Sequence, residues 1–180
     1  MTRLRKSVGL NGDIEGAVRV AKAAKAFSWT WADEDVERFR SVVGWEFLGR
    51  NRESYSLATD LDVNIPHADV SCDGFLLRKY GGDRESILQI SVYVTDIAKD
   101  QVEHLRQLFD QFSARLTREL GEPDEKIAGE KIEWSTPSGI IALMGGAMSI
   151  HLEVVNPRYR KWDDDCAWYE DRAEVDPMDE

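Results

Sequence analysis

Cysteine is scarce in this sequence, with only Cys72 and Cys166 among 180 residues. These two residues are 94 positions apart in the sequence and match no zinc or redox spacing. We therefore expect two free thiols in a reducing compartment. A chain of this length buries about 70% of its unfolded surface, so we expect it to fold without a disulfide or a metal.

Long hydrophobic runs are absent as well. No stretch of 18 apolar residues occurs, so we predict no membrane-spanning helix. Arg19, Lys22 and Lys25 interrupt the only early apolar segment, so we also expect no signal peptide. Together with the reducing compartment that the cysteines indicate, these features predict a cytoplasmic protein.

The motifs that carry common enzyme chemistry are missing too. The sequence contains no Walker loop, no GxGxxG, no HExxH, no GxSxG and no zinc-ligand spacing. Its glycine pairs at 81–82 and 145–146 lie between predicted strands, where they suit hairpins better than phosphate binding. The acidic triplet at 163–165 lacks the alternating ligands and the bend glycine of a calcium loop. We therefore predict no cofactor, no metal site and no enzymatic activity.

Basic residues are few relative to acidic ones, 23 against 34, so the formal net charge is −11. Residues 1–25 carry +4, residues 162–180 carry −8, and the middle of the chain carries −7. A surface of this sign repels phosphate groups, so we expect no binding to nucleic acid or to an anionic membrane. The charge favours a basic protein as the partner.

The longest periodic segment predicts a helix over about 97–120. Its apolar side chains recur every three or four residues: Val102, Leu105, Phe109, Phe112 and Leu116. Asp96 is a candidate cap for its start, and Gly121 and Pro123 suit its end. Because one side of this helix is apolar, we expect that side to cover a sheet formed by the neighbouring segments.

Two shorter helices are predicted before it. The first spans about 12–26 and is rich in alanine, and the second ends at Gly44. Thr30 and Asp33 form a capping-box pattern at the start of the second helix. Three tryptophans flank that helix and are interpreted as core anchors in preference to ligand-stacking residues: Trp29, Trp31 and Trp45.

Alternating side chains predict three strands on each side of the long helix, at about 55–61, 70–80, 88–94, 131–135, 140–144 and 148–154. The predicted fold is therefore α+β. Two N-terminal helices precede two antiparallel three-strand segments, which form a sheet packed against the long central helix. We predict a single domain over 1–161, with a flexible start at 1–11. A partly disordered acidic tail follows at 162–180.

Acidic and aromatic residues at the start of this tail predict a partner-binding surface: Trp162, Asp163, Asp164, Asp165 and Trp168. Aromatic side chains at such a surface contribute burial, and carboxylates steer a basic partner towards it. A catalytic alternative is a site assembled from dispersed residues: His67, Asp69, Tyr93 and His151.

Three short motifs carry a family resemblance: Trp29-Thr30-Trp31, Gly44-Trp45 and the hairpin segment at 134–139. Through these motifs, over about 27–157, the chain resembles an uncharacterised family of small acidic actinobacterial proteins. Such proteins are similar to the immunity partners encoded beside secreted polymorphic toxins. The resemblance implies a protein that neutralises a toxin by binding, and it implies no catalytic residue.

Three functions therefore follow as hypotheses. The leading one is an immunity-type or antitoxin protein that occludes a basic toxin domain through its acidic surface. The second is a secretion chaperone for an exported effector, and the third is a small enzyme with a dispersed site. The sequence leaves the oligomeric state open.

Overall fold

The computed structural model describes the backbone of residues 10–173 and the side chains of residues 10–167. Residues 1–9 and 174–180, which include most of the predicted flexible start and the end of the predicted tail, lie outside the described residues. The described part is α+β, as predicted. Its helices are α1 Ile14–Ala26, α2 Glu34–Val43, α3 Gly74–Lys79, α4 Val102–Leu120 and α5 Pro157–Ala173. Its strands are β1 Glu46–Arg50, β2 Ser54–Ala58, β3 His67–Cys72, β4 Ile87–Tyr93, β5 Glu125–Ile127, β6 Lys131–Ser135, β7 Ile140–Gly145 and β8 Ile150–Val155.

The eight strands form one antiparallel sheet in the order β1-β2-β3-β4-β8-β7-β6-β5. Each half of the chain contributes a four-strand meander, and the two meanders join where β4 pairs with β8. The prediction of three strands per half was wrong, because β1 and β5 were missed. Both are edge strands with mostly exposed side chains, so neither shows the alternation that marks a half-buried strand.

Two predicted boundaries also needed correction. The predicted strand at 70–80 ends at Cys72, because the Asp73 carboxylate accepts hydrogen bonds from the Phe75 and Leu76 amides and starts α3. The long helix begins at Val102, not near 97. Asp96 does not cap it; its carboxylate instead accepts from the backbone amides of Asn11 (3.1 Å) and Asn64 (2.6 Å).

One face of the sheet, here called the inner face, is apolar. Its strand register aligns a row of buried side chains across six strands: Leu57, Ala68, Val92, Leu152, Leu143 and Ile132. Helix α4 covers this face with Phe109, Phe112 and Leu116, and α1 lies beside α4. The buried alanines of α1 permit this close approach.

Candidate functional site: the outer face of the sheet

The opposite face of the sheet, here called the outer face, is polar. Its register aligns one residue from each of seven adjacent strands: Ser56, Asp69, Ser91, Glu153, Ala142, Glu133 and Glu125. Four of these seven residues are acids, and we call Asp69, Glu153, Glu133 and Glu125 the acidic row. Neighbouring strands are about 4.8 Å apart, so the row extends across most of the width of the sheet.

Helix α5 lies over the part of the row formed by β6, β7 and β8. The contact is centred on Arg160, whose side chain is 14% exposed and whose Nη2 lies 2.5 Å from Glu133 Oε1. Both atoms are buried, yet neither is in hydrogen-bond geometry, so we interpret the contact as a charge pair rather than a directed bond. Lys131 adds a second cation, 2.7 Å from Glu125 and 3.7 Å from Glu133.

The two carboxylates under α5 are held in conditions that oppose their ionisation. Burial raises the pKa of Glu153, although the nearby Arg160 charge works in the opposite direction. Burial also raises the pKa of Glu133 against the lowering effects of Arg160 and Lys131. Asp163 adds to the rise at Glu153 and Asp164 adds to it at Glu133, so acids of α5 and acids of the sheet form one electrostatic group.

The predicted partner-binding residues lie on α5, which crosses the predicted domain–tail boundary at residue 162. Trp162 is half-buried and stacks on Tyr159, with ring centroids 5.8 Å apart. Asp163 pairs with Arg160 and Asp165 pairs with Lys161, one helical turn away in each case, while Asp164 is exposed. The Trp168 side chain lies outside the described residues.

The four dispersed residues of the catalytic alternative all belong to the outer face. His67 Nε2 lies 2.9 Å from Asp69 Oδ1 on β3. Tyr93 on β4 is paired with His151 on β8, and their rings meet edge to face at 4.4 Å. His151 also contacts Ser149 at 2.9 Å and Ser91 at 3.5 Å. The fold therefore brings these residues onto one surface, although they are distant in sequence.

These four residues do not form a nucleophile with an adjacent general base. His67 on β3 and His151 on β8 are separated by β4, so their backbones are about 10 Å apart. The Ser91 hydroxyl is 3.5 Å from Nδ1 of His151, at the outer limit of hydrogen bonding. The other ring nitrogen, Nε2, contacts the hydroxyl of Ser149, which is a neutral residue. Burial lowers the pKa of His151, which favours a neutral ring. The geometry suits surface recognition better than nucleophilic catalysis.

A separate polar cleft of about 750 Å³ lies at one end of the sheet, lined by Asp33, Arg50 and Cys72 among other residues. Burial raises the pKa of the Cys72 thiol to about 11, so this cysteine is not an activated nucleophile. Burial and the Asp33 charge raise the pKa of Tyr55, beside the cleft, to about 12. Among the described residues, no group of three or more His, Cys, Asp or Glu side chains is arranged to hold a metal ion.

Three residues central to the outer face were missed by reasoning from the sequence: Glu133, Glu153 and Arg160. The alternation in the predicted strands at 131–135 and 148–154 places Glu133 and Glu153 on the polar side, which by itself indicates a solvated face. Only the register between β6, β7 and β8 shows that they share a row. The available signal is a glutamate on the polar side of two strands of one meander, β6 and β8, followed by a basic helix start.

The chain belongs to a family of unknown function, DUF6301, whose model matches residues 15–156. The matched region contains the whole sheet, including the acidic row, and ends at the residue before α5. Comparisons with curated proteins and with solved structures found no match. Because the family carries no assigned function, the resemblance to immunity proteins remains a prediction.

In the described part of the chain, no helix combines the length and the apolar character needed to cross a membrane.

Proposed function

We propose that this protein is a cytoplasmic, non-enzymatic binding protein of the immunity or antitoxin type, which occludes a basic toxin domain. The observation that carries the proposal is the group formed by three members of the acidic row and two acids of α5. Five carboxylates, Glu125, Glu133, Glu153, Asp163 and Asp164, surround two cations, Arg160 and Lys131, so the group has a formal charge of −3.

The exposed members of this group suit contact with a partner. Glu125, Asp163 and Asp164 are exposed and Trp162 is half-buried next to them. Charges at the rim of an interface accelerate encounter, and a neighbouring aromatic ring contributes area that becomes buried on binding. Glu133 is buried and paired with Arg160, and Glu153 is half-buried, so the exposed acids are the members of the group that a partner would meet.

The test is binding of the product of the adjacent gene, measured by stopped flow at increasing salt. We expect association to slow as salt rises, since the Debye length falls from about 30 Å at 0.01 M to about 10 Å at 0.1 M. The double variant D163N/D164N should associate about tenfold more slowly at low salt.

The control variant E37Q/E103Q removes the same number of charges from α2 and α4, away from the outer face. Its association rate should remain within about twofold of the original protein. Equal slowing in both variants would show that net charge, not this surface, guides the encounter. No association with the neighbouring product at any salt concentration would count against the immunity role itself.

A further inference from the structure

A second concave site lies away from the acidic row, between the Trp29–Trp31 segment and the start of α5. Its volume is about 500 Å³, within the range of small-molecule sites. Aromatic and proline side chains form much of its lining: Trp29, Trp31, Tyr80, Pro137 and Pro157. We call this site the tryptophan cleft.

Trp31 has an unusual backbone conformation. Its φ is 63°, in the left-handed region that bulky residues rarely adopt. Such strain persists only where the surroundings enforce it, and it concentrates at binding and catalytic sites. We therefore infer that the surrounding structure fixes the position of the Trp31 indole in the cleft.

Several contacts enforce this conformation. The Trp31 amide donates to the fully buried Asp35 carboxylate at 2.8 Å, and its carbonyl accepts from the Ser86 and Ile87 amides. The Trp31 indole N–H donates to the Ser138 carbonyl at 2.7 Å. The Trp29 ring stacks against the Trp31 ring at 4.8 Å, with 18° between their planes. The aromatic wall is thus fixed before any ligand arrives, which lowers the entropic cost of binding.

The cleft is locally positive in an acidic protein. Its charged lining residues are Arg158, Lys161 and Glu85, giving a formal charge of +1, whereas the whole chain carries −11. Arg158 is engaged by Glu85 at 3.0 Å and by the Tyr80 carbonyl. Lys161 is 68% exposed and, in the part of the chain whose side chains are described, pairs with Asp165 of its own helix. Because this pair is exposed, the ammonium group can turn towards an anion at little cost.

We propose that the tryptophan cleft binds a small organic acid with a flat apolar body. The body lies against Tyr80, Pro137 and Pro157, with the exposed 4% of Trp31 beside it, and the carboxylate lies near Lys161. Aromatic rings favour flat partners in offset or edge-on contact, and the cation selects an anion over its neutral analogue. The cleft uses different residues from the proposed toxin contact, although both include part of α5.

The experiment is an NMR titration of the full chain with phenylacetate and, separately, with the neutral analogue phenylacetamide. The indole N–H of Trp31 serves as the sensor, and the indole N–H of Trp134, which donates to the Gly121 carbonyl elsewhere, serves as the internal control. We expect a saturable change in the chemical shift of the Trp31 indole N–H, with a dissociation constant of about 1 mM, and no change at the Trp134 indole N–H. Phenylacetamide should bind at least about threefold more weakly.

The variant K161Q should weaken phenylacetate binding about two- to fivefold, the effect expected for one exposed ion pair. The control K126Q removes an equal charge from the exposed edge strand β5 and should leave the dissociation constant unchanged. Absence of a saturable Trp31 shift up to about 20 mM would overturn the proposal. Equal binding of the acid and the amide, or equal effects of the two lysine variants, would overturn the assignment of an anionic ligand.

Discussion

Asp35 is a fully buried carboxylate with donors on several sides. It accepts from the Thr30 amide at 2.6 Å, from the Thr30 hydroxyl at 3.1 Å and from the Trp31 amide, and it pairs with Arg38. These bonds fix the turn that precedes α2 and hold Trp31 in its left-handed conformation. One acidic side chain therefore determines the shape of the tryptophan cleft.

The predicted capping box at Thr30 and Asp33 differs from this arrangement. Asp33 makes no side-chain capping bond to α2; its carboxylate contacts the Ser86 hydroxyl at 2.7 Å and Arg50 at 2.9 Å. Burial alone would raise the pKa of Asp33, but these two partners outweigh burial and lower it. The sequence spacing predicts Asp33 as the capping acid, whereas in the structure the acid that bonds to this turn is Asp35, two positions later.

Replacing Asp35 with alanine should destabilise the protein by about 2–5 kcal/mol, because the change leaves the Thr30 and Trp31 backbone amides without their acceptor. Chemical denaturation followed by far-UV circular dichroism measures this loss. The control is Glu37→Ala, which removes an exposed ion pair of the same helix and should cost less than about 1 kcal/mol. Similar losses for both variants would contradict the role assigned to Asp35.

At the scale of elements, α5 differs from α4 in what it covers. Helix α4 lies on an apolar face, whereas α5 lies over Glu133 and Glu153 and is joined to them through Arg160. Asn156, which is almost fully buried, precedes α5 and accepts a hydrogen bond from the Arg158 amide at 2.9 Å. The start of α5 is thus firmly held, while the contact of its Arg160 with Glu133 of the sheet is a charge pair.

Glu153→Gln should make stability less dependent on pH. Burial raises the folded-state pKa of Glu153, so its stabilising contribution is complete below the unfolded pKa of about 4.3 and is lost as pH rises through the folded pKa. Glutamine stays neutral throughout. The free energy of unfolding of the variant should therefore equal that of the original protein at about pH 4 and exceed it at about pH 8, as measured by urea denaturation.

The charges that face Glu153 from α5 and from β6 are Arg160, Asp163 and Glu133. They are common to the original protein and the variant, so the difference between the two isolates Glu153. The exposed Glu130→Gln provides the control, and its difference from the original protein should not grow with pH. A Glu153→Gln variant that is less stable than the original protein near about pH 8 would show that the carboxylate is stabilised by Arg160 rather than penalised by burial.

At the scale of the whole molecule, the two meanders share one sheet and one core. Buried side chains from β2 and β3, in the first meander, belong to the same cluster as those from β6, β7 and β8 in the second. The two meanders are joined by the pairing of β4 with β8, in which Ile90 lies opposite Val154 and Val92 lies opposite Leu152. A repeated helix-and-meander plan is visible in this topology, although no residue-level repeat accompanies it.

Because the halves share a core, we expect a single unfolding transition. Phe112→Ala on α4 should lower the free energy of unfolding by about 3–5 kcal/mol, and Leu57→Ala on β2 by about 2–5 kcal/mol, since both side chains are almost fully buried. Circular dichroism and tryptophan fluorescence should give the same midpoint in each variant. A second transition in either variant would show that the halves unfold separately and would contradict the predicted single domain.

Much of the fold could be predicted because it depends on local periodicity. The apolar spacing of α4, the alanines of α1 and the alternation of β4 and β8 all appear in the structure where the sequence indicates them. The edge strands β1 and β5 could not be found in this way, because strands exposed at an edge lack a two-sided pattern. Helix α3, at six residues, is too short to show a helical period, so the pattern over 70–80 predicts a continuous strand there.

The sequence by itself determined the acidic balance of this protein, its α+β class and the positions of its main apolar faces, since each of these is a property of composition or of neighbours along the chain. Only the tertiary structure decided that Asp69, Glu153, Glu133 and Glu125 form one row under and beside α5. It also decided that Trp31 lines a cleft with the start of α5. Both results depend on strand register and on packing between distant segments, and a register shift of one residue would move each of these carboxylates to the opposite face.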